Sequence, residues 1–212
     1  MIKYIVNDKC IGNFMKKLFA CLLMLGTVGL ASAQVSNFTG FSGAVNLSAA
    51  SSNTKVGSFY SLGGDGFIGS FQGAYGMELS SSSVLGFGLT YSAGKSKSGN
   101  ITDDSTSDVA IKNQYSLYLE PGALLSDNTL LYGKISVEKG KFAVTSIPAS
   151  DSFSRSISGT GYGAGLRHML DKTKFLQVEL MKVGYKSIRN IDNTVDIKSS
   201  TTLGTIGIGM KF

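Results

Sequence analysis

From residue 39 to the last residue of this 212-residue chain, apolar and polar side chains alternate with a period of two in one segment after another. That period sends successive side chains to opposite faces of an extended strand, whereas a helix would repeat every 3.6 residues. The closing segment is the clearest. Counted back from the terminus in twos, Phe212, Met210, Ile208, Ile206 and Gly204 fall on one face, and Lys211, Gly209, Gly207, Thr205 and Leu203 on the other. A strand of a soluble fold gains nothing by ending flush on a phenylalanine, because the terminal carboxylate would be drawn in beside the buried ring. Something other than folding stability favours that residue.

Eight such segments can be marked, at 39–49, 67–79, 84–93, 111–123, 130–142, 157–170, 175–185 and 201–212. Each has about the length a tilted strand needs to cross a bilayer. The links at 80–83, 124–129 and 171–174 are short and made of turn residues, while those at 50–66, 94–110, 142–156 and 186–199 are longer and polar. Short and long connections in alternation suit an all-β, eight-stranded antiparallel up-and-down transmembrane β-barrel, and an even strand count puts both termini on its periplasmic side.

The amino-terminal end reads as an export leader. Met15-Lys16-Lys17 opens a positive stretch, 18–30 is an apolar run of about a dozen residues, and Ala31-Ser32-Ala33 offers small residues where a signal peptidase reads them. A membrane-spanning helix needs about 20 apolar residues, more than this run supplies. Residues 15–33 are therefore expected to be a signal peptide cleaved before Gln34. Residues 1–14 read as a mis-assigned start or a disordered extension ahead of Met15, and 34–212 as the barrel domain. Both cysteines, Cys10 and Cys21, leave with the leader, so the domain needs no disulfide in an oxidising compartment. Four lysines and one aspartate leave too, and the net charge falls from +6 to +3, which argues for no nucleic-acid partner. No later segment could be a transmembrane helix, so a membrane location requires a barrel.

Alternation alone also suits a soluble lipocalin-like barrel whose apolar face turns inward around a ligand. The polar face separates the two. It carries Gly, Ser, Thr and Gln with a few charges: Glu78, Glu120, Lys134, Glu138, Arg167 and Glu179. A water-facing exterior would hold many more, whereas the narrow lumen of an eight-stranded barrel suits small residues and a few paired ions. Glu120, Lys134, Arg167 and Glu179 each lie four or five positions from the nearest short turn, with Glu78 closer. At about 3.3 Å per residue along a tilted strand, they reach a similar depth. The expectation is a buried plug in which Arg167 and Lys134 neutralise Glu78, Glu120 and Glu179, with Glu138 and Tyr118 above it. Left unpaired, such charges would be very costly to bury. The plug reads either as a network that fixes strand register, the commoner role of buried ion pairs, or as a gate or proton path.

Together, the leader, the alternating segments, the stretch Gly161-Tyr162-Gly163-Ala164-Gly165-Leu166-Arg167 and the final strand resemble the small outer-membrane beta-barrel family, the opacity-protein and eight-stranded porin-like group of Gram-negative bacteria. The resemblance covers nearly all of 38–212. Its sharpest part is the terminal pattern polar-x-Gly-x-x-apolar-x-apolar, filled by Thr205, Gly207, Met210 and Phe212. It implies an outer-membrane location and an assembly signal at those four residues, read by the barrel-assembly machinery after escort by periplasmic chaperones. It also implies contact with outer-membrane lipids and lipopolysaccharide, and external loops open to a host or phage surface ligand. Lys182 and His168 depart from the pattern by falling on the lipid-facing parity. Lys182 is expected near the external interface, or turned inward by a bulge near Met181, and His168 at the periplasmic rim.

Chemistry is sparsely encoded. His168 is the only histidine, no base or nucleophile stands beside it, and it lies at the wrong rim for attack on outer-leaflet lipid. Gly161-x-Gly163-x-Gly165 imitates part of a dinucleotide fingerprint, but no helix follows; alternating glycines instead relieve crowding in a lumen or let strands bend. Gly63-Gly64-Asp65-Gly66 and the acids Asp103, Asp104 and Asp108 lack the regular spacing of a calcium loop and read as turn chemistry or lipopolysaccharide-bridging positions. No catalytic, cofactor or metal site is expected. Two functional readings stay open: a plugged structural or surface-interaction barrel, favoured because eight strands leave little free lumen, and a small porin-like channel or transporter whose plug opens. A lipid-modifying enzyme ranks third.

Overall fold

The computed structural model describes residues 35–212 apart from 58–59, 103–105, 148–151 and 190–195. The expected leader, and Asp103 and Asp104 with it, lie outside the described residues. A short 3-10 helix, Val35–Phe38, leads into β1 (Gly40–Val56), β2 (Tyr60–Ser80), β3 (Ser83–Thr102), β4 (Thr106–Ser126), β5 (Thr129–Ile147), β6 (Ser152–Met169), β7 (Lys174–Tyr185), β8 (Ile188–Arg189) and β9 (Asp196–Lys211). Each strand from β1 to β7 pairs antiparallel with the next, β7 pairs with β9, and β9 returns to β1. Eight long strands thus close into a barrel, as the alternation predicts, and β8 is a two-residue rung on β9 above the end of β7.

The two faces are sorted in the sense opposite to a soluble protein. Outward positions hold exposed Val45, Leu47, Phe71, Leu89, Leu117, Ile135 and Ile206, while inward positions bury Asn46, Ser48, Gln72, Glu120 and Gln177. A lipocalin-like barrel would do the reverse. Burying the polar face and exposing the apolar one suits an exterior bathed in hydrocarbon.

The strands run well past the spans expected from the sequence. β1 to β6 reach 17 to 21 residues, so much of 50–66, 94–110 and 142–156 is strand rather than loop. Gly63 to Gly66 do not turn; they pair in unbroken register with Asn53 to Ala50 of β1. Ser, Thr and Gly carry little hydropathic contrast, so the alternation there is structural without being visible in composition. In β4 the pairing slips between Lys112 and Tyr115, where Asn113 adopts φ 50°. An inserted residue reverses parity above it. Ile111, which simple alternation from Tyr115 would turn outward, is therefore inward and 0 % exposed.

The interior has three tiers. At the end that carries the short turns, Val35 and Phe38 of the 3-10 helix pack with Val84, Leu130, Tyr132, Met169 and Phe175. At the other end Ile111, Phe142 and Ile157 cluster with Leu62, Tyr185, Ile188 and Ile197. The charged residues lie between. The helix is fastened by the Lys211 ammonium to the Ser36 carbonyl and by the Asn37 amide to the Asp127 carbonyl at 2.9 Å. The Phe212 N–H donates to the Phe41 carbonyl at 2.9 Å, so both ends of the described chain meet at this mouth.

Candidate functional site: the charged tier of the lumen

Strand alternation brings Glu120 of β4, Lys134 of β5, Arg167 of β6 and Glu179 of β7 to one level inside the barrel. Arg167 donates through Nη2 to Glu120 Oε2 at 3.0 Å. Lys134 Nζ donates to Glu179 Oε2 at 2.9 Å and lies 3.4 Å from Glu120 Oε1, which makes it the bridge between the two carboxylates. Two cations and two anions cancel. All four are buried, and aromatic faces cover the cations: Lys134 Nζ is 4.1 Å from the Tyr118 ring centroid, and the Arg167 guanidinium carbon is 5.2 Å and 5.0 Å from those of Tyr132 and Phe175.

The expected third carboxylate does not join. Glu78 is exposed, at the last pair before a register shift between Glu78 and Ser80. The inner space at its level is taken: its cross-strand partner Val84 and the helix residues Val35 and Phe38 fill the mouth with apolar side chains. A carboxylate turned in there would be desolvated without a partner. Glu138, expected above the plug, accepts from the Ser136 hydroxyl at 2.6 Å instead of from a cation.

Neutral polar groups extend the network beyond what charge alone suggested. Gln177 Oε1 accepts from Arg167 Nε and Nη2, both at 3.2 Å. Gln177 Nε2 donates to Asn46 Oδ1 at 2.8 Å and to Gln72 Oε1 at 2.9 Å. Gln72 Nε2 then donates to the Tyr118 hydroxyl at 2.7 Å, while the Tyr132 hydroxyl donates to Glu179 Oε2 at 3.3 Å. The signal available in the sequence was their shared inward parity. Two glycines make room: a side chain at Gly165 would strike the Tyr132 ring, and one at Gly207 would strike Asn46 Oδ1.

The four terminal positions divide between the faces. Thr205 faces in and shares a 2.8 Å hydrogen bond with the Ser48 hydroxyl, and Gly207 is buried beside Asn46. Met210 and Phe212 face out, Phe212 with 81 % of its surface exposed. His168 is exposed at the short-turn rim with Nδ1 2.9 Å from Thr129 Oγ1. Lys182 is exposed and outward, and pairing runs unbroken through Met181 on both sides, so no bulge turns it in. Among the described residues there is no group of three or more metal-ligating side chains.

Residues 20–212 match the outer membrane protein beta-barrel domain family. No curated protein matches the chain. Among solved structures it is similar to Neisserial surface protein A, at 19 % identity over 80 % of this chain and 97 % of that one, with a TM-score of 0.53. Another is Ail, the attachment invasion locus protein of Yersinia pestis, at 19 % identity over 82 % of this chain and 100 % of that one, with a TM-score of 0.49. The inverted sorting of the two faces and the family match agree. The chain belongs to the outer membrane protein beta-barrel domain family and resides in the bacterial outer membrane.

Proposed function

We propose that the protein is a sealed barrel that mounts rigid, strand-built structures above the outer membrane, where they meet a ligand on a host, phage or neighbouring surface. The observation that carries the reading is the lumen. Its four deepest charges cancel one another, and buried apolar clusters lie above and below them. A solute could pass only by separating Arg167 from Glu120 and Lys134 from Glu179, and breaking a buried pair costs about 3–5 kcal/mol. Strand length supports the second half of the reading. Crossing a bilayer takes about 9–11 residues of tilted strand, whereas β2, β3 and β4 have 21, 20 and 21, which leaves roughly half of each outside the hydrocarbon. The reading assigns the protein no chemical step. Single-channel recording on the refolded barrel tests it: leak-level current without discrete steps is expected. Discrete conductance that vanishes in Arg167→Ala or Glu120→Ala would replace it with a small channel gated at the same network.

A further inference from the structure

Three lysines on three neighbouring strands stand side by side on the outer face. Lys95 of β3 is the direct cross-strand partner of Lys112 in β4, and Lys112 of Lys141 in β5. Lys112 and Lys141 adjoin the inward Ile111 and Phe142 in sequence and so take the outward parity, Lys95 shares their face by pairing, and Lys139 lies one outward step below Lys141. Directly opposed side chains are about 5 Å apart at Cβ, where like charges destabilise the sheet. None of the four has an ion-pair partner among the described residues. An anion supplied from outside the chain would relieve this repulsion.

The rows beneath fix the level of the lysines. Leu89, Leu117 and Val137 form one outward row across β3, β4 and β5; Tyr91, Tyr115 and Lys139 form the next; the three lysines follow. Apolar, then tyrosine, then lysine is the order of hydrocarbon, interface and headgroup. Lys95 and Lys141 each stand twelve residues beyond the first residue of their strands, Ser83 and Thr129, just past the about 9–11 that a tilted strand spends in the bilayer. Between the tyrosine and lysine rows the pairing slips on both sides of β4, with Gly94 at φ 133° and Asn113 at φ 50°. Here the wall opens a concavity of about 580 Å³ that includes Lys139, Lys141, Asn113 and the serines registered beside the two lysines, Ser158 and Ser156. No carboxylate lines it.

We propose that this concavity binds the phosphorylated headgroup of an outer-leaflet lipid. Lys139, Lys141 and the two serine hydroxyls take one phosphate, and Lys112 and Lys95 meet a second. A phosphate monoester carries about −1.5 to −2 charges near neutral pH, so four ammonium groups match a saccharolipid headgroup bearing two. This goes beyond the sealed-mount reading and does not depend on it: the site needs only the barrel's outward face against a bilayer, whether or not the lumen conducts.

The test uses the full barrel, its folding checked by heat-modifiable gel mobility, in phosphatidylcholine nanodiscs doped with bisphosphorylated lipid A or with the same lipid stripped of both phosphates. Lipid retained on the protein is scored by native mass spectrometry. Retention of the bisphosphorylated form is expected to exceed that of the stripped form by about tenfold, and to weaken as salt rises toward roughly 0.5 M. K112Q/K141Q should erase the preference, K112R/K141R should keep it, and K172Q/K174Q at the opposite rim should leave it intact. Equal retention of the two lipids by the wild type overturns the proposal, as does an unchanged preference in folded K112Q/K141Q. If that variant does not fold, the wild-type comparison of the two lipids decides alone. A soluble polyanion retained at the lysines in place of the lipid would also overturn it, assigning the patch to a soluble partner.

Discussion

Arg167 on β6 reaches past β5 to donate to Glu120 on β4 at 3.0 Å, so the pair joins two strands that share no hydrogen-bonded seam. Glu120 also has Lys134 of the adjacent β5 within 3.4 Å, and Arg167 adds its contact once β4, β5 and β6 are joined in order. Arg167→Met would leave Glu120 and Glu179 to share the single ammonium of Lys134. Urea unfolding of the refolded barrel is expected to show a loss of about 3–5 kcal/mol, with Arg167→Met/Glu120→Gln recovering part of it. A loss below about 1 kcal/mol would make the pair no stronger than an exposed one, and the structural role of the network would have to be given up.

Phe38 is buried in the mouth cluster, whereas Phe41, three residues on, is exposed on the outer face. Phe38→Ala should cost about 3–5 kcal/mol, as a truncated core aromatic does, and Phe41→Ala much less in detergent, which wets both states of that ring. Unfolding of the two variants side by side checks this. Equal effects would mean that the 3-10 helix merely rests in the mouth and contributes no packing.

What the sequence made legible followed from locality. A period of two is decided residue by residue, so the strands, their inward faces and the common depth of Glu120, Lys134, Arg167 and Glu179 could all be read before any coordinates. Parity fails wherever one residue is inserted: the slip at Asn113 turned Ile111 inward, and the shift after Glu78 came with a mouth already filled by apolar side chains. Gln177, Gln72 and Asn46 were on the correct face but carry no charge to advertise a partner. Val35 to Phe38 have no period at all, so nothing local announced that they would close the mouth. The external halves of β1 to β6 went unrecognised because Ser, Thr and Gly pair as readily as Val and Ile while showing no apolar stripe.

The turn between β6 and β7 is held by Asp171, whose carboxylate accepts from the Thr173 N–H at 2.8 Å, the Lys174 N–H at 2.8 Å and the Thr173 hydroxyl at 2.9 Å. Those donors, the Thr173 N–H first, hold the carboxyl below its ordinary range. A folded-state value depressed in this way contributes stability above the unfolded carboxylate pKa and loses it as pH falls through the folded one. The stability difference between wild type and Asp171→Asn should therefore be full at neutral pH and shrink on acidification below the usual carboxylate range. Urea unfolding at stepped pH measures it, and a difference independent of pH would remove Asp171 ionisation from the account.

Phe212 has most of its ring in the open, beside Gly43, and its main described bond is through the backbone to Phe41. Deleting it removes one rung of the β1–β9 seam and little packed surface, so refolding in detergent should fall only slightly. If Thr205, Gly207, Met210 and Phe212 form the signal that the assembly machinery reads, the same deletion should sharply reduce insertion in cells. Its level in the outer-membrane fraction would then drop far more than its refolding yield. Replacing Phe212 with tyrosine keeps an aromatic end and should restore much of the insertion. Equal losses in detergent and in cells would assign Phe212 to seam closure alone, because a residue needed only for packing is missed to the same degree wherever the barrel folds.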